Sequence, residues 1–236
     1  MSPMSSWNPV QACYNWRVKD FAALCCDGNS ACRTDEGAQV TNEANFALTS
    51  GNPNCPPDVC CRGIRACSFL TNISGVSSAA CRSFNACEQV TMFLSRDLFC
   101  SRRDACKRGI FRFSAAGTGP SKHCVQCLDA GSPSEPFAQP CEESQMSFTA
   151  GNVELQCAFN TCGNSNISLS GSSCIHIKCE DSVSCGGMSV VDGDSSGSRC
   201  FCSGAGCTNL VGPLTCESPS TANPCCLAQS APRSFV

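Results

Sequence analysis

Residues 61–113 read CRGIRACSFLTNISGVSSAACRSFNACEQVTMFLSRDLFCSRRDACKRGIFRF, and three times in this stretch two cysteines stand five residues apart. The pairs are Cys61 and Cys67, Cys81 and Cys87, and Cys100 and Cys106, so the unit restarts after 20 and then 19 residues. The same spacing recurs at Cys26 and Cys32 and at Cys179 and Cys185, and a shortened Cys-x4-Cys occurs at Cys157 and Cys162 and at Cys202 and Cys207. Ala or Ser precedes the second cysteine of every full-length unit. An alternating apolar pair often follows, as in Val90 and Met92, Phe111 and Phe113, Ile167 and Leu169, and Met188 and Val190. The later units begin at 157, 179 and 202, in steps of 22 and 23.

A period of this size with one short alternating strand per unit predicts an all-β fold, a disulfide-stapled parallel β-solenoid with coils of about 19–23 residues. Each coil buries one face of its strand and stacks its backbone on the next at about 4.8 Å. A leucine-rich repeat would need a Leu-x-x-Leu-x-Leu ladder, which the sequence lacks. Independent disulfide knots would need about four cysteines per unit, and most units hold two or three.

The chain has 26 cysteines in 236 residues, with only 15% charged and 7% aromatic residues. Cysteine at this density marks a disulfide scaffold and an oxidising, extracellular setting, so the expected localisation is secreted. A narrow coil encloses little apolar volume, and cystines substitute for the missing core at roughly 2–4 kcal/mol each. Two pairings are open, within a unit across a corner or between equivalent cysteines of stacked coils, and both satisfy disulfide geometry. The vicinal pairs Cys25-Cys26, Cys60-Cys61 and Cys225-Cys226 point to different partners.

The Cys-x5-Cys spacing resembles that of the small cysteine-rich β-helical antifreeze proteins of beetles, in which it closes each coil internally. That resemblance implies the pairings Cys61–Cys67, Cys81–Cys87 and Cys100–Cys106. The coil here is nearly twice as long, and its length is closer to that of the broader right-handed parallel β-helix class. The pattern is also similar to cysteine-rich repeat proteins of algal cell surfaces.

Composition divides the chain into a cap or entry segment (1–54), a basic repeat block (55–122), a Pro/Gly/Ser-rich linker (123–150), an acidic repeat block (151–216) and an irregular tail (217–236). Within the first segment, Val18 to Cys25 is the best helix candidate, ended by Asp27-Gly28. A helix there would form a short N-terminal cap covering the open edge of the solenoid. The opening residues, MSPMSSWNPVQACYNW, lack the basic and apolar regions of a secretory signal. Export is therefore expected to depend on a leader outside this numbering or of another kind. No run of about 18 apolar residues is present, so no membrane span is expected. Two Asn-x-Ser sequons, at Asn72 and Asn166, follow Cys67 and Cys162 by five and four residues. Their matching places predict one glycosylated side.

Charge is sorted by block: residues 1–61 carry net −3, residues 62–122 net +7, and residues 123–236 net −7. A rod with a positive middle and negative ends complements an offset copy of itself, which predicts head-to-tail or staggered self-association into open filaments. Arg102, Arg103, Lys107, Arg108 and Arg112 form the candidate patch for assembly or for gripping an anionic polysaccharide. Nucleic acid is not an expected partner, because few aromatics accompany these bases.

The β-helix class includes polysaccharide lyases and hydrolases, whose chemistry needs clustered carboxylates or calcium-binding acids. Asp192-Gly193-Asp194 and Glu142-Glu143 are the closest acidic pairs, and both read as solvated turns. His123-Cys124-Val125-Gln126-Cys127 has the spacing of half a zinc ribbon but lacks the second Cys-x2-Cys, so a disulfide is the preferred reading. A redox role for this CxxC would need a βαβ context, and ice binding a Thr-x-Thr ladder. Neither is present. The sequence therefore predicts a secreted structural glycoprotein with no enzymatic activity and no cofactor, a self-assembling subunit of an extracellular filament, sheath or appendage. The alternative is a carbohydrate-binding or carbohydrate-cleaving protein acting on anionic polysaccharide.

Overall fold

The computed structural model describes residues 18–19, 24–27, 32, 39–41, 59–114, 122–128 and 139–218. The strands are β1 (Val18–Lys19), β2 (Leu24–Asp27), β3 (Gln39–Thr41), β4 (Val59–Arg62), β5 (Thr71–Cys81), β6 (Thr91–Ser101), β7 (Ile110–Ser114), β8 (Lys122–Leu128), β9 (Gln145–Thr149), β10 (Asn152–Ala158), β11 (Asn166–Ser170), β12 (Cys174–Cys179), β13 (Ser189–Asp192), β14 (Arg199–Ser203) and β15 (Cys216–Glu217). A short 3-10 helix, Ala205–Asn209, lies between the last two. Ten strands run in the order β13-β11-β9-β7-β6-β8-β10-β12-β14-β15, every neighbouring pair parallel, and β1 to β5 join this path at β6.

The sheet curls because β5 and β6, 11 residues each, serve two rows at once. The first half of β6 pairs with β7 and its second half with β8. From there the chain alternates between the rows: β7, β9, β11 and β13 extend a first face, and β8, β10, β12, β14 and β15 extend a second. The Cys-x5-Cys turns return the chain from the second face to the first and stack as a third side, here called the ridge.

Strand alternation fills the interior. On the first face Met92, Phe111, Met146, Ile167 and Val190 stand in one register column, and Leu94, Phe113, Phe148 and Leu169 in the next. All nine are at most 1% exposed, so the core is continuous from coil to coil. On the second face Leu98, Val125, Leu155 and Ile177 form the matching column. The Phe113 and Phe148 rings stack at 4.5 Å, and His123 meets Phe113 edge-on at 5.5 Å.

Gly109 shows how closely the interior is fitted. It occupies the column of Leu70, Val90, Ser144, Ser165 and Met188, three residues after each second cysteine, and a Cβ there would come within 2.5 Å of the Phe111 ring. Ser144 and Ser165, buried in that column, both donate to the Cys141 carbonyl, at 2.8 and 2.5 Å.

Among the described residues nine disulfides staple the sheet, which suits an oxidising environment. The expected N-terminal helical cap is not what the described residues of that segment form. Val18–Lys19 and Leu24–Asp27 are strands, because Leu24, Cys25 and Cys26 fall in register with Val59, Cys60 and Cys61 and extend the ladder. Segment 123–150, read as a linker from its composition, supplies the body of β8 and the whole of β9. Its Pro/Gly/Ser-rich part lies between Cys127 and Cys141, so the first cysteines step by 30 residues from Cys127 to Cys157.

Candidate functional site

The ridge is built from the cysteines upward. Cys26–Cys32, Cys61–Cys67, Cys81–Cys87, Cys100–Cys106, Cys157–Cys162, Cys179–Cys185 and Cys202–Cys207 are each disulfide-bonded within their own unit. Two further bonds were not legible in the spacing. Cys127–Cys141 is the same staple with the insertion inside its loop, while Cys200–Cys216 joins directly paired residues of adjacent strands and clasps β15 to β14.

First cysteines stack in direct register through Cys26, Cys61, Cys81, Cys100, Cys127, Cys157 and Cys179. The last coil slips by two residues, which sets Cys202 opposite Ile177. Sulfurs of neighbouring coils are therefore close: those of Cys61, Cys81 and Cys87 lie within 4.8 Å of one another, as do those of Cys100, Cys127 and Cys141 and those of Cys179, Cys202 and Cys207. All nine of these sulfurs are in disulfides, and disulfide sulfur is not the thiolate a metal requires.

Each turn tightens by placing alternate residues in the left-handed backbone region: Arg65, Cys67 and Phe69, then Asn85, Cys87 and Gln89, then Asp104, Cys106 and Arg108. This conformation costs about 1–2 kcal/mol per non-glycine residue, and hydrogen bonds in both axial directions offset it. Cys87, Cys106 and Cys141 donate to the carbonyls of Ala66, Ala86 and Ala105 in the preceding coil, each at 2.9 Å. Arg65, Asn85 and Arg108 donate to Phe84, Arg103 and Glu142 in the following coil, at 2.9, 3.1 and 2.9 Å. Ala66, Ala86 and Ala105, fully buried, are small because the turn folds over them.

Stacking also redistributes the charges. Glu142 and Glu143 lie one coil beyond Lys107 and Arg108, and Lys107 Nζ meets Glu142 at 2.5 Å and Asp104 at 3.3 Å. Arg108 meets Glu143 at 2.6 Å. Burial lowers the Lys107 pKa, but bonding to Glu142 and the nearby Asp104 charge outweigh it, and the net shift is upward. The Arg108 hydrogen bond holds the Glu143 carboxyl below the ordinary range.

The five-residue basic patch is therefore split. Lys107 and Arg108 are engaged along the ridge, and Arg103 contacts Asp104 at 3.4 Å. Arg102 is exposed at the start of its turn, and Arg112 stands on the first face with its guanidinium 5.4 Å from the Phe93 ring centroid.

Acidic turns near the C-terminal end tie coils together. Asp194 accepts from Gly171 N–H at 2.9 Å, one coil away, and Asp192 accepts from Gly197 and Ser198 N–H at 3.0 and 3.2 Å. Asp181 accepts from Phe159 N–H across coils and from Val183 and Ser184 N–H within its own turn, at 2.5, 2.9 and 2.8 Å. Against the opposing effect of burial, these bonds hold the Asp181 carboxyl below its usual range.

The zinc-like triplet is dispersed. His123 points into the core, Cys124 alternates outward, and Cys127 is bonded to Cys141. The two sequons do not share a column: Thr71, Thr91, Ile110, Gln145 and Asn166 stand in one column of the first face, with Asn166 exposed at the start of β11, whereas Asn72 is the extra residue between Thr71 and Ile73, the latter opposite Met92. Comparisons with protein-family models, with curated proteins and with solved structures find no match for this chain.

Proposed function

We propose that this chain is a secreted structural β-solenoid, a self-associating subunit of an extracellular filament, sheath or surface appendage. The observation that supports the reading best is the repetition of one device. Within each unit a cystine closes the turn, and a parallel backbone ladder joins it to its neighbours from β2 to β14. Such a body resists bending, proteolysis and unfolding, because local opening is restricted by both the staple and two adjacent coils. Its acids act in the same sense, joining coil to coil through Asp181, Asp194, Glu142 and Glu143.

With Lys107 and Arg108 paired inside the subunit, the exposed bases of the five-residue patch left for contacts between copies are Arg102, Arg112 and Arg103, the last beside Asp104. The test is electron microscopy of natively purified, non-reduced protein at low and high salt. Regular fibres that shorten or disperse as salt screens charge support the reading. Monomers at every salt concentration overturn it. The arginine–aromatic stack of Arg112 on Phe93 favours a second reading, carbohydrate binding on the first face, for which a monomer that binds an anionic glycan is the expected result.

A further inference from the structure

We infer that Cys25 and Cys60 are joined by a disulfide that clasps β2 to β4 across two coils. The inference rests on the oxidising setting that the staples imply, and it stands whether or not copies of the chain assemble. β2 and β4 continue the second face, since β4 pairs with Ala79–Cys81, the part of β5 that pairs with the second half of β6. Cys25 is the direct register partner of Cys60, between the pairs Leu24 with Val59 and Cys26 with Cys61. Neighbouring strands lie about 4.8 Å apart, inside the window of about 4.4–6.8 Å between Cα atoms that a disulfide spans. The fold uses this geometry at its other end. Cys200 and Cys216 are direct register partners in β14 and β15, and their Cα atoms are 4.5 Å apart across the bond.

Strand alternation separates the two members of each vicinal pair. Cys26 and Cys61 serve the inner side of the sheet, where each closes its own turn with Cys32 and Cys67. Cys25 and Cys60, one residue earlier, therefore occupy the outer side of one ladder step. The register neighbour of Cys60 in the following coil is Ala80, which carries no sulfur, so the cysteine next to Cys60 in its column is Cys25. That outer column runs on through Phe99 to Lys178. It is sheltered where it starts, with Cys60 1% and Ala80 0% exposed, and open to solvent at Lys178. A bond at Cys60 is thus shielded from external reductant once the fold closes.

Both ends of the second face then carry the same device. Among the described strands β2 pairs with β4 alone and β15 with β14 alone, so each is a terminal row with one neighbour. Terminal rows open most readily. The staples do not oppose this opening, because both cysteines of a staple belong to one coil, whereas a bond between rows does. Formation is a two-electron oxidation by exchange with a protein disulfide or glutathione disulfide. One cysteine takes a donor sulfur as a mixed disulfide, and the thiolate of the other attacks it. The bond between the two Sγ atoms forms as the bond to the donor breaks, and the donor leaves as two thiols that hold the two protons and two electrons.

The experiment is disulfide mapping of the full chain, purified without reductant from an oxidising secretory host. The protein is unfolded at mildly acidic pH in the presence of a maleimide, which caps thiols and stops exchange, and is then digested with trypsin. Cleavage after Lys19, Arg33 and Arg62 places Cys25 in peptide 20–33 and Cys60 in peptide 34–62. The expected result is these two peptides joined, with electron-transfer fragmentation between Cys25 and Cys26 and between Cys60 and Cys61 assigning the bond. The double variant Cys25→Ala, Cys60→Ala should release peptide 20–33 from peptide 34–62 and keep the Cys61–Cys67 link. Its amides at 24–27 should exchange more than about tenfold faster. Maleimide on Cys25 or Cys60 in the unreduced native chain, or a bond from either to another cysteine, overturns the inference, and this reading needs no variant to fold. Unchanged exchange at 24–27 in a folded double variant overturns the clasp.

Discussion

Removing the Cys81–Cys87 staple and comparing it with removal of Cys127–Cys141 separates the two ways in which these bonds stabilise the fold. Both pairs are fully buried, so Cys→Ala at both ends leaves similar methyl-sized voids, roughly 2 kcal/mol for two sulfurs. The chain-entropy contribution differs because the sequence separations are 6 and 14 residues. Loops of about 7 and 15 residues correspond to about 2.4 and 3.0 kcal/mol. The expected losses are therefore roughly 4 and 5 kcal/mol, with the longer loop costing about 0.6 kcal/mol more. Urea denaturation of the oxidised double variants, followed by circular dichroism and by fluorescence, measures both. At a typical slope of about 2 kcal/mol/M the midpoint should fall by roughly 2 M. Losses below about 1 kcal/mol, or a larger loss at Cys81/Cys87 than at Cys127/Cys141, would refute the reasoning that the staples act by constraining the unfolded chain around a packed interior.

Three further outcomes are expected. Glu142→Gln should destabilise the protein by about 1.5–3 kcal/mol in equilibrium denaturation, since it weakens a charge-assisted bond to Lys107 whose partners are only 19% and 14% exposed. The Lys107 part of that stability is complete below the ordinary pKa of 10.5 and is lost as pH rises through the raised folded value. His123 behaves in the opposite sense. Burial lowers its pKa from the ordinary 6.5 more than Arg96 and Asp97 raise it, so the folded state resists protonation and stability should fall as pH drops below about 6.5. His123→Leu should flatten that limb of a stability–pH profile, and an unchanged limb would assign it to other groups. Gly204→Ala should cost more than about 1 kcal/mol, because the residue has φ +102° and a Cβ there would collide with the Cys179 carbonyl. Hydrogen exchange should show the loss concentrated in the last coil, residues 199–217.

Much of the architecture follows from local arithmetic. Cys-x5-Cys followed by an alternating apolar pair specifies a tight turn and then a strand with one buried face, and repetition at a near-constant step specifies stacking. Those are short-range properties of the chain, carried by residues such as Ala86, Cys87, Val90 and Met92. Where the step lengthens, the pattern is hidden. Cys127 and Cys141 make the same staple as their neighbours, but the insertion between them reads as a linker, and only the alignment of Cys127 with Cys100 and Cys157 identifies it as one more coil. The N-terminal segment has the same lesson in reverse: Val18 to Cys25 is the best helix candidate in the sequence, and pairing with β4 makes Leu24–Asp27 a strand.

The sites depend still more on stacking. By itself the sequence determined which residues are basic, acidic or sequon asparagines, and that the chain must be closed by disulfides. It did not determine their neighbours, because axial contacts join residues one coil apart, and coil length varies from 19 to 35 residues. Tertiary structure brought Glu142 and Glu143 onto Lys107 and Arg108, and so neutralised charges that the linear reading assigns to separate blocks. It turned His123 inward and Cys124 outward, and it put Thr71 rather than Asn72 in the column of Asn166. The physical reason is that a parallel ladder converts register into proximity, and register is settled by the packing of Met92, Phe111, Met146 and Ile167 against one another rather than by distance along the chain.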